Sequence, residues 1–162
     1  MMYTGLAVGM FMMLFVTPAY MAMGVKRMNE ERKLTFGEKL ACCIPFVNMI
    51  KAEIDYYGHI KLYTISLIIN IITTAQRIYT LFYMREQTTI CTVSVIVFII
   101  GWLFTYIANM VFVYDIITVA GNESRSKAFL NALIYPIGQY YVGTTLPNVV
   151  RNTQKQAETF TI

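Results

Sequence analysis

Three stretches of the chain, 1–25, 87–114 and 128–150, hold no Asp, Glu, Lys or Arg. Each is at least as long as the roughly 20 residues a helix needs to cross a hydrocarbon core. A further apolar stretch lies between Lys61 and Arg85-Glu86. Together they predict four transmembrane helices, over about 3–23, 60–84, 88–114 and 128–150. Between the first two, the apolar run 40–50 is too short to span and is interrupted by Pro45. Lys51, Glu53 and Asp55 then alternate with apolar residues at near-helical spacing, which predicts an amphipathic helix over about 37–57, interfacial or re-entrant. Tyr56, Tyr57 and the lone His59 follow where an aromatic belt belongs. The expected fold is therefore all-α: one polytopic membrane domain over 1–162, with about four transmembrane helices and one interfacial or re-entrant helix.

The spans differ in character. The first carries Gly5 and Gly9, a small-residue pair that lets helices approach closely. A secretory signal peptide is its rival reading, weakened by the absence of Lys or Arg before the apolar run. The second contains Asn70, Gln76 and Arg77. A guanidinium inside hydrocarbon costs at least about 2.5–3.5 kcal/mol, so Arg77 must snorkel, find a buried partner, or face water along a permeation path. Asn70 and Arg77, seven residues apart, share one helix face. The third span places Trp102 near its middle, away from the headgroups, which suggests helix packing, while Asn109 and Asp115 approach the cytoplasmic side. The fourth contains Pro136, Gly138, Gln139, Gly143 and Pro147, and is expected to be kinked and covered by protein, because lipid cannot satisfy the backbone groups they free.

Composition agrees with this pattern: 57% of residues are hydrophobic and 14% charged, too little charge for a water-soluble globule. The net charge of +4 is more informative by position than by sum. Lys26, Arg27, Arg32, Lys33 and Lys39 crowd one loop, which points the 26–39 segment to the cytoplasm and toward lipid headgroups. With four spans, both termini lie outside; were the last segment re-entrant, the C-terminus would move inside. The localisation that follows is multi-pass in the inner, cytoplasmic membrane. No extended basic and aromatic surface suggests nucleic acid. Cys42, Cys43 and Cys91 have neither disulfide-framework nor metal spacing; the adjacent pair beside a basic loop reads as small apolar filler or as an acylation site. Asn122-Glu123-Ser124 matches a glycosylation acceptor but falls on the cytoplasmic side of this topology.

The run Gly37-Glu38-Lys39-Leu40-Ala41-Cys42-Cys43-Ile44-Pro45-Phe46-Val47-Asn48 resembles an uncharacterised family of small multi-span bacterial membrane proteins, sometimes labelled signal-peptidase-I-like. In that family a glycine-started amphipathic stretch with an Ile-Pro-aromatic-Asn run follows the first span, and Tyr135-Pro136-Ile137-Gly138 is similar to its Tyr-Pro segment in the last. Glu38 departs from the pattern, which has tryptophan there. The resemblance implies a four-helix membrane fold and no particular activity.

Catalytic chemistry has little footing. Ser66 and Ser94 lie in predicted spans, Ser124 and Ser126 in a turn, and no lysine is evidently paired with any of them as a base. The sequence offers no His-Glu zinc motif, phosphate-cradling loop or intramembrane aspartate pair, so no catalytic residue, cofactor or metal is expected. The reading that remains is a non-enzymatic scaffold or interaction protein of a bacterial or phage membrane. It would self-associate as a homo-oligomer or anchor a larger complex in the lipid bilayer. The alternative is an oligomeric channel or holin-like permeabiliser lined by Asn70, Gln76, Arg77, Gln139 and Asn148; without a pore, these amides would serve interhelical hydrogen bonding.

Overall fold

The structure, a computed structural model, describes residues 16–29, 34–44 and 46–160. Among them it contains eight helices and no strand: α1 Thr17–Asn29, α2 Phe36–Cys42, α3 Val47–Tyr57, α4 Leu62–Tyr83, α5 Thr88–Val119, α6 Arg125–Leu133, α7 Tyr135–Thr144 and α8 Leu146–Phe160. Gly5, Gly9, Arg32 and Lys33 lie outside the described residues.

The two longest helices form an antiparallel pair. Their register is set by small and hydroxylated side chains: Thr105 donates to the Ser66 carbonyl at 3.0 Å, and a Cβ at Gly101 would stand 2.7 Å from Thr73 Oγ1. Close approach through such residues is what packs helices when an apolar medium offers no hydrophobic drive between them. At about 1.5 Å per residue, the 22 residues of α4 reach about 33 Å and the 32 of α5 about 48 Å. Both are long and apolar enough to cross a membrane, and only 22% and 11% of their apolar stretches are buried within the protomer. In the far half of α5, by contrast, Ala108, Asn109, Phe112, Val113, Ile116 and Ile117 are buried by protein.

The segment expected to run as one span over 128–150 is divided. Ile134 is extended (φ −98°, ψ 97°), and α7 restarts with a proline in its first turn, where the missing N–H of Pro136 leaves no gap in the hydrogen-bond ladder. A second break at Thr145 precedes Pro147, which is buried. The two short helices fold back on each other. Tyr106 of α5 donates to the Leu133 carbonyl at the end of α6, so α6 runs antiparallel to α5. Gln139 then meets Asn109, and Leu146 lies beside Gly121, so α7 returns parallel to α5. The chain thus descends about half the length of α5 and comes back to the end it left.

The expected helix over 37–57 is likewise two helices. Thr35 caps α2 through a reciprocal box with Glu38: the Thr35 N–H donates to Glu38 Oε2 at 2.8 Å, and the Glu38 N–H to Thr35 Oγ1 at 3.4 Å. The chain turns through Phe46 at φ 62°, and α3 ends on Gly58 at φ 76°, a left-handed cap that glycine adopts without strain. In α1, the helix continues past the predicted end near residue 23 to Asn29, because its first charges find partners: Lys26 pairs with Glu38 at 2.9 Å, and the Asn29 amide donates to the Asp55 carbonyl. Met21, Ala22 and Val25 are buried by α3, α7 and α8.

Candidate functional site

The five polar residues singled out as pore candidates fall in two separate places. On α4, Gln76 is exposed, Asn70 accepts from Thr74 of its own helix at 3.4 Å, and Arg77 Nη1 donates to the Cys91 carbonyl of α5 at 3.4 Å. Asn148 is exposed and donates to the Thr144 carbonyl. Gln139 alone of the five is fully buried, and it faces α1 and α5. The fold therefore does not gather these side chains along one path within the protomer.

What it builds with Gln139 is a relay of buried polar groups joining three helices. Thr17 of α1 donates to Gln139 Oε1 at 2.8 Å, and Gln139 Nε2 donates to Asn109 Oδ1 of α5 at 2.8 Å. Asn109 is buried, and its Nδ2 has no partner among the described residues. Neither Thr17 nor the coupling of Asn109 to Gln139 is visible in the sequence, where the two amides are 30 positions apart. Just beyond, α1 and α7 cross backbone to backbone. A Cβ on Gly24 would collide with the Val142 carbonyl oxygen, and one on Gly143 would stand 2.5 Å from the Tyr20 carbonyl oxygen. Gly138 is equally constrained, 2.5 Å from the Asn131 carbonyl oxygen. Trp102, expected to pack between helices, is 54% exposed and stacks along its own helix on Tyr106, with centroids 5.9 Å apart. Its outward position follows from the register that Gly101 and Thr105 impose on the α4 side.

The charged residues form a second construction where α3 hands the chain to α4. Glu53, fully buried, accepts the backbone N–H groups of Lys61, Tyr63 and Thr64 at 2.9–3.0 Å. Those are orphan donors at the start of α4, and a carboxylate there also meets the positive end of the helix dipole. The sequence marks Glu53 as one of the polar residues of an amphipathic helix; the left-handed turn at Gly58 is what swings α4 back over it. Beside it, the Tyr57 hydroxyl donates to Asp115 Oδ2, and Tyr56 donates to the Asp115 carbonyl at 3.4 Å. Phe112 stacks on Tyr63 at 5.3 Å and meets Tyr56 and Tyr57 edge-on or tilted. Burial, reinforced by the Asp115 charge, pushes Tyr56 up to about 12; Tyr57, which also donates to that carboxylate, is raised further. Both phenols keep their protons at neutral pH.

Glu53, Tyr57, Tyr63, Phe112 and Asp115 also wall a half-open cleft of about 400 Å³. Lys61 Nζ stands over the Tyr57 ring, 3.5 Å from its centroid, while Asp115 and Glu53 supply its carboxylates and Leu62, Ala108 and Val111 its apolar side. Elsewhere at this end, Glu123 is held below the usual carboxylate range by hydrogen bonds from Lys127 at 2.9 Å and Tyr141 at 2.8 Å. Cys42 is buried, which raises its thiol, and Cys43 is exposed. Comparison with protein-family models, curated proteins and solved structures finds no match for this chain.

Proposed function

We propose that the chain is a non-enzymatic integral membrane protein, a helical scaffold that holds itself or a larger assembly in the bilayer. The observation that carries this reading is the outward apolar surface of α4 and α5. More than a dozen large hydrophobic side chains there are exposed, among them Ile65, Ile68, Ile72, Ile96, Ile100 and Leu103. Each gains on the order of 1 kcal/mol in apolar surroundings. Summed over the pair, that rivals the whole stability of an ordinary domain, about 5–15 kcal/mol, so water is the wrong medium for this surface.

In this reading α4 and α5 span the bilayer, and the folded-back α6–α7 pair is re-entrant. Lys26, Arg27, Lys61, Arg125 and Lys127 belong to the end of the bundle where α5 finishes, and Arg85 to the opposite end. The basic end faces the cytoplasm by the positive-inside rule, and the C-terminus joins it. Phe36, Leu40, Ile44, Phe46 and Val47, exposed on and between α2 and α3, then lie at the headgroup boundary. The Thr17–Gln139–Asn109 relay and the Gly24–Gly143 crossing serve as the fastening that keeps a re-entrant hairpin packed. Self-association is tested by the mass of the detergent-solubilised chain: a defined oligomer supports a scaffold built from copies, and a monomer supports anchoring of other proteins.

A pore reading has one observation in its favour, the exposed Gln76 beside the half-buried Arg77 on α4. It requires several copies to bring these faces together. Single-channel currents that change with Arg77→Leu would establish it, and their absence from the reconstituted parent chain would dismiss it.

A further inference from the structure

We infer that the cleft between the start of α4 and the end of α5 is a headgroup site for a phospholipid carrying a primary ammonium, of the phosphatidylethanolamine class. The inference rests on the membrane reading above, because it places the cleft at the cytoplasmic edge of the two spans. Three observations carry it.

The first is charge. Lys61 and Asp115 both line the cleft and are tied to opposite parts of one side chain: the ammonium lies on the face of the Tyr57 ring, and the carboxylate accepts that tyrosine's hydroxyl. A plus and a minus charge are thus held about a tyrosine ring apart. The other carboxylate, Glu53, is committed to three backbone N–H groups at the start of α4. The charge left to a ligand is a balanced pair, the complement of a zwitterion whose phosphate meets Lys61 and whose ammonium meets Asp115. An anionic glycerol headgroup would leave Asp115 opposed by nothing. A choline headgroup has the charge but no N–H to donate to it.

The second is polarity along the cleft. Beyond the charged pair its wall is Leu62, Ala108, Val111 and Phe112, and it adjoins exposed Ile65 and Ile107 on the outer faces of α4 and α5. Acyl tails leaving the headgroup therefore continue onto apolar helix surface rather than into water. The third is rigidity. Phe112 stacks on Tyr63 and packs at a tilt against Tyr57, and the Tyr57 phenol stays protonated, so the hydrogen bond that orients Asp115 persists at physiological pH. A preformed pair loses little freedom when a ligand arrives.

The test is native mass spectrometry of the full chain released from detergent after incubation with an equimolar mixture of palmitoyl-oleoyl phosphatidylethanolamine, phosphatidylglycerol and phosphatidylcholine. The expected result is preferential retention of the ethanolamine lipid, reduced roughly tenfold by Lys61→Ala or Asp115→Asn, the effect of losing one charge-assisted hydrogen bond. Lys61 is exposed, and asparagine still accepts the Tyr57 hydroxyl, so neither change removes a structural contact of the fold's interior. Free phosphoethanolamine at the same concentration is expected not to compete, since it lacks the tails that the apolar wall holds; competition would reassign the site to a soluble phosphoamine. Equal retention of the three lipids, or retention indifferent to both substitutions, overturns the site. A chain that stays monodisperse without detergent would instead overturn the membrane reading on which it rests, so the two failures are distinguishable.

Discussion

Replacing Gln139 with leucine isolates the buried relay from everything else the fold does. The side chains are similar in volume, and Gln139 is wholly enclosed, so the substitution opens no cavity and exposes no new surface. It removes two interhelical hydrogen bonds of 2.8 Å. In membrane proteins such bonds average about 0.6 kcal/mol each. It also strands the Asn109 amide, whose Nδ2 already lacks a partner among the described residues and whose Oδ1 would then lose its donor. Leaving a buried polar group unpaired costs about 1–3 kcal/mol. The total is about 2–4 kcal/mol, a shift of at least about thirtyfold in the unfolding equilibrium at 25 °C. Reversible unfolding in mixed micelles with increasing sodium dodecyl sulfate reads this directly. The sharper control is the double variant Gln139→Leu with Asn109→Leu, which removes both partners and is expected to be less destabilised than the sum of the single changes by more than about 0.5 kcal/mol. Additive losses, or a single variant within a few tenths of a kcal/mol of the parent, would refute the reasoning that the relay couples α5 to α7.

Three further outcomes follow from the structure. Gly24→Val places a branched side chain on the Val142 carbonyl and is expected to separate α1 from α7, costing more than about 2 kcal/mol in the same unfolding assay, whereas Gly37→Ala, which meets open space, costs little. Glu53→Ala strips the α4 N-terminus of its three-fold acceptor and is expected to lower the thermal midpoint; Glu53→Gln, which keeps an acceptor oxygen, should recover part of the loss. Tyr56 has its folded-state value raised from 10.0 to about 12, so its contribution is complete below about pH 10 and is lost as pH climbs through about 12. Ultraviolet titration of tyrosinate should show a late-ionising component that Tyr56→Phe diminishes, and a component unchanged by that substitution would argue against its burial.

The parts of this fold that could be read from the sequence are those where hydropathy and length suffice. The runs 60–84 and 88–114 became α4 and α5, the second extending on to Val119, because a long apolar stretch between polar turns favours the helix, which satisfies its backbone internally. Direction is another matter. The stretch 128–150 has the length of a span, yet Pro136 and Pro147 each open a new helix, and whether the chain goes on or turns back is decided by long-range contacts such as Tyr106 to Leu133 and Gln139 to Asn109. The glycines illustrate the same limit. Spacing along one helix draws attention to Gly5 and Gly9, but the crossing seen in the structure joins Gly24 to Gly143, a pair related by no local pattern. Glu53 was legible as a polar residue on an amphipathic helix and illegible as a cap, because its partners lie across a turn whose left-handed Gly58 sets the return angle.

The central claim is that α4 and α5 cross a bilayer while α6 and α7 enter it and come back. Single cysteines at Glu86, Ser126 and Asn152, introduced after replacing Cys42, Cys43 and Cys91 with serine or alanine, report the side of each when sealed vesicles are treated with a membrane-impermeant maleimide. The account predicts that Ser126→Cys and Asn152→Cys are labelled from one face and Glu86→Cys only from the other. Labelling of Ser126→Cys and Asn152→Cys from opposite faces would make the last segment a full crossing, and labelling of Glu86→Cys and Ser126→Cys from the same face would contradict the membrane-spanning hairpin itself.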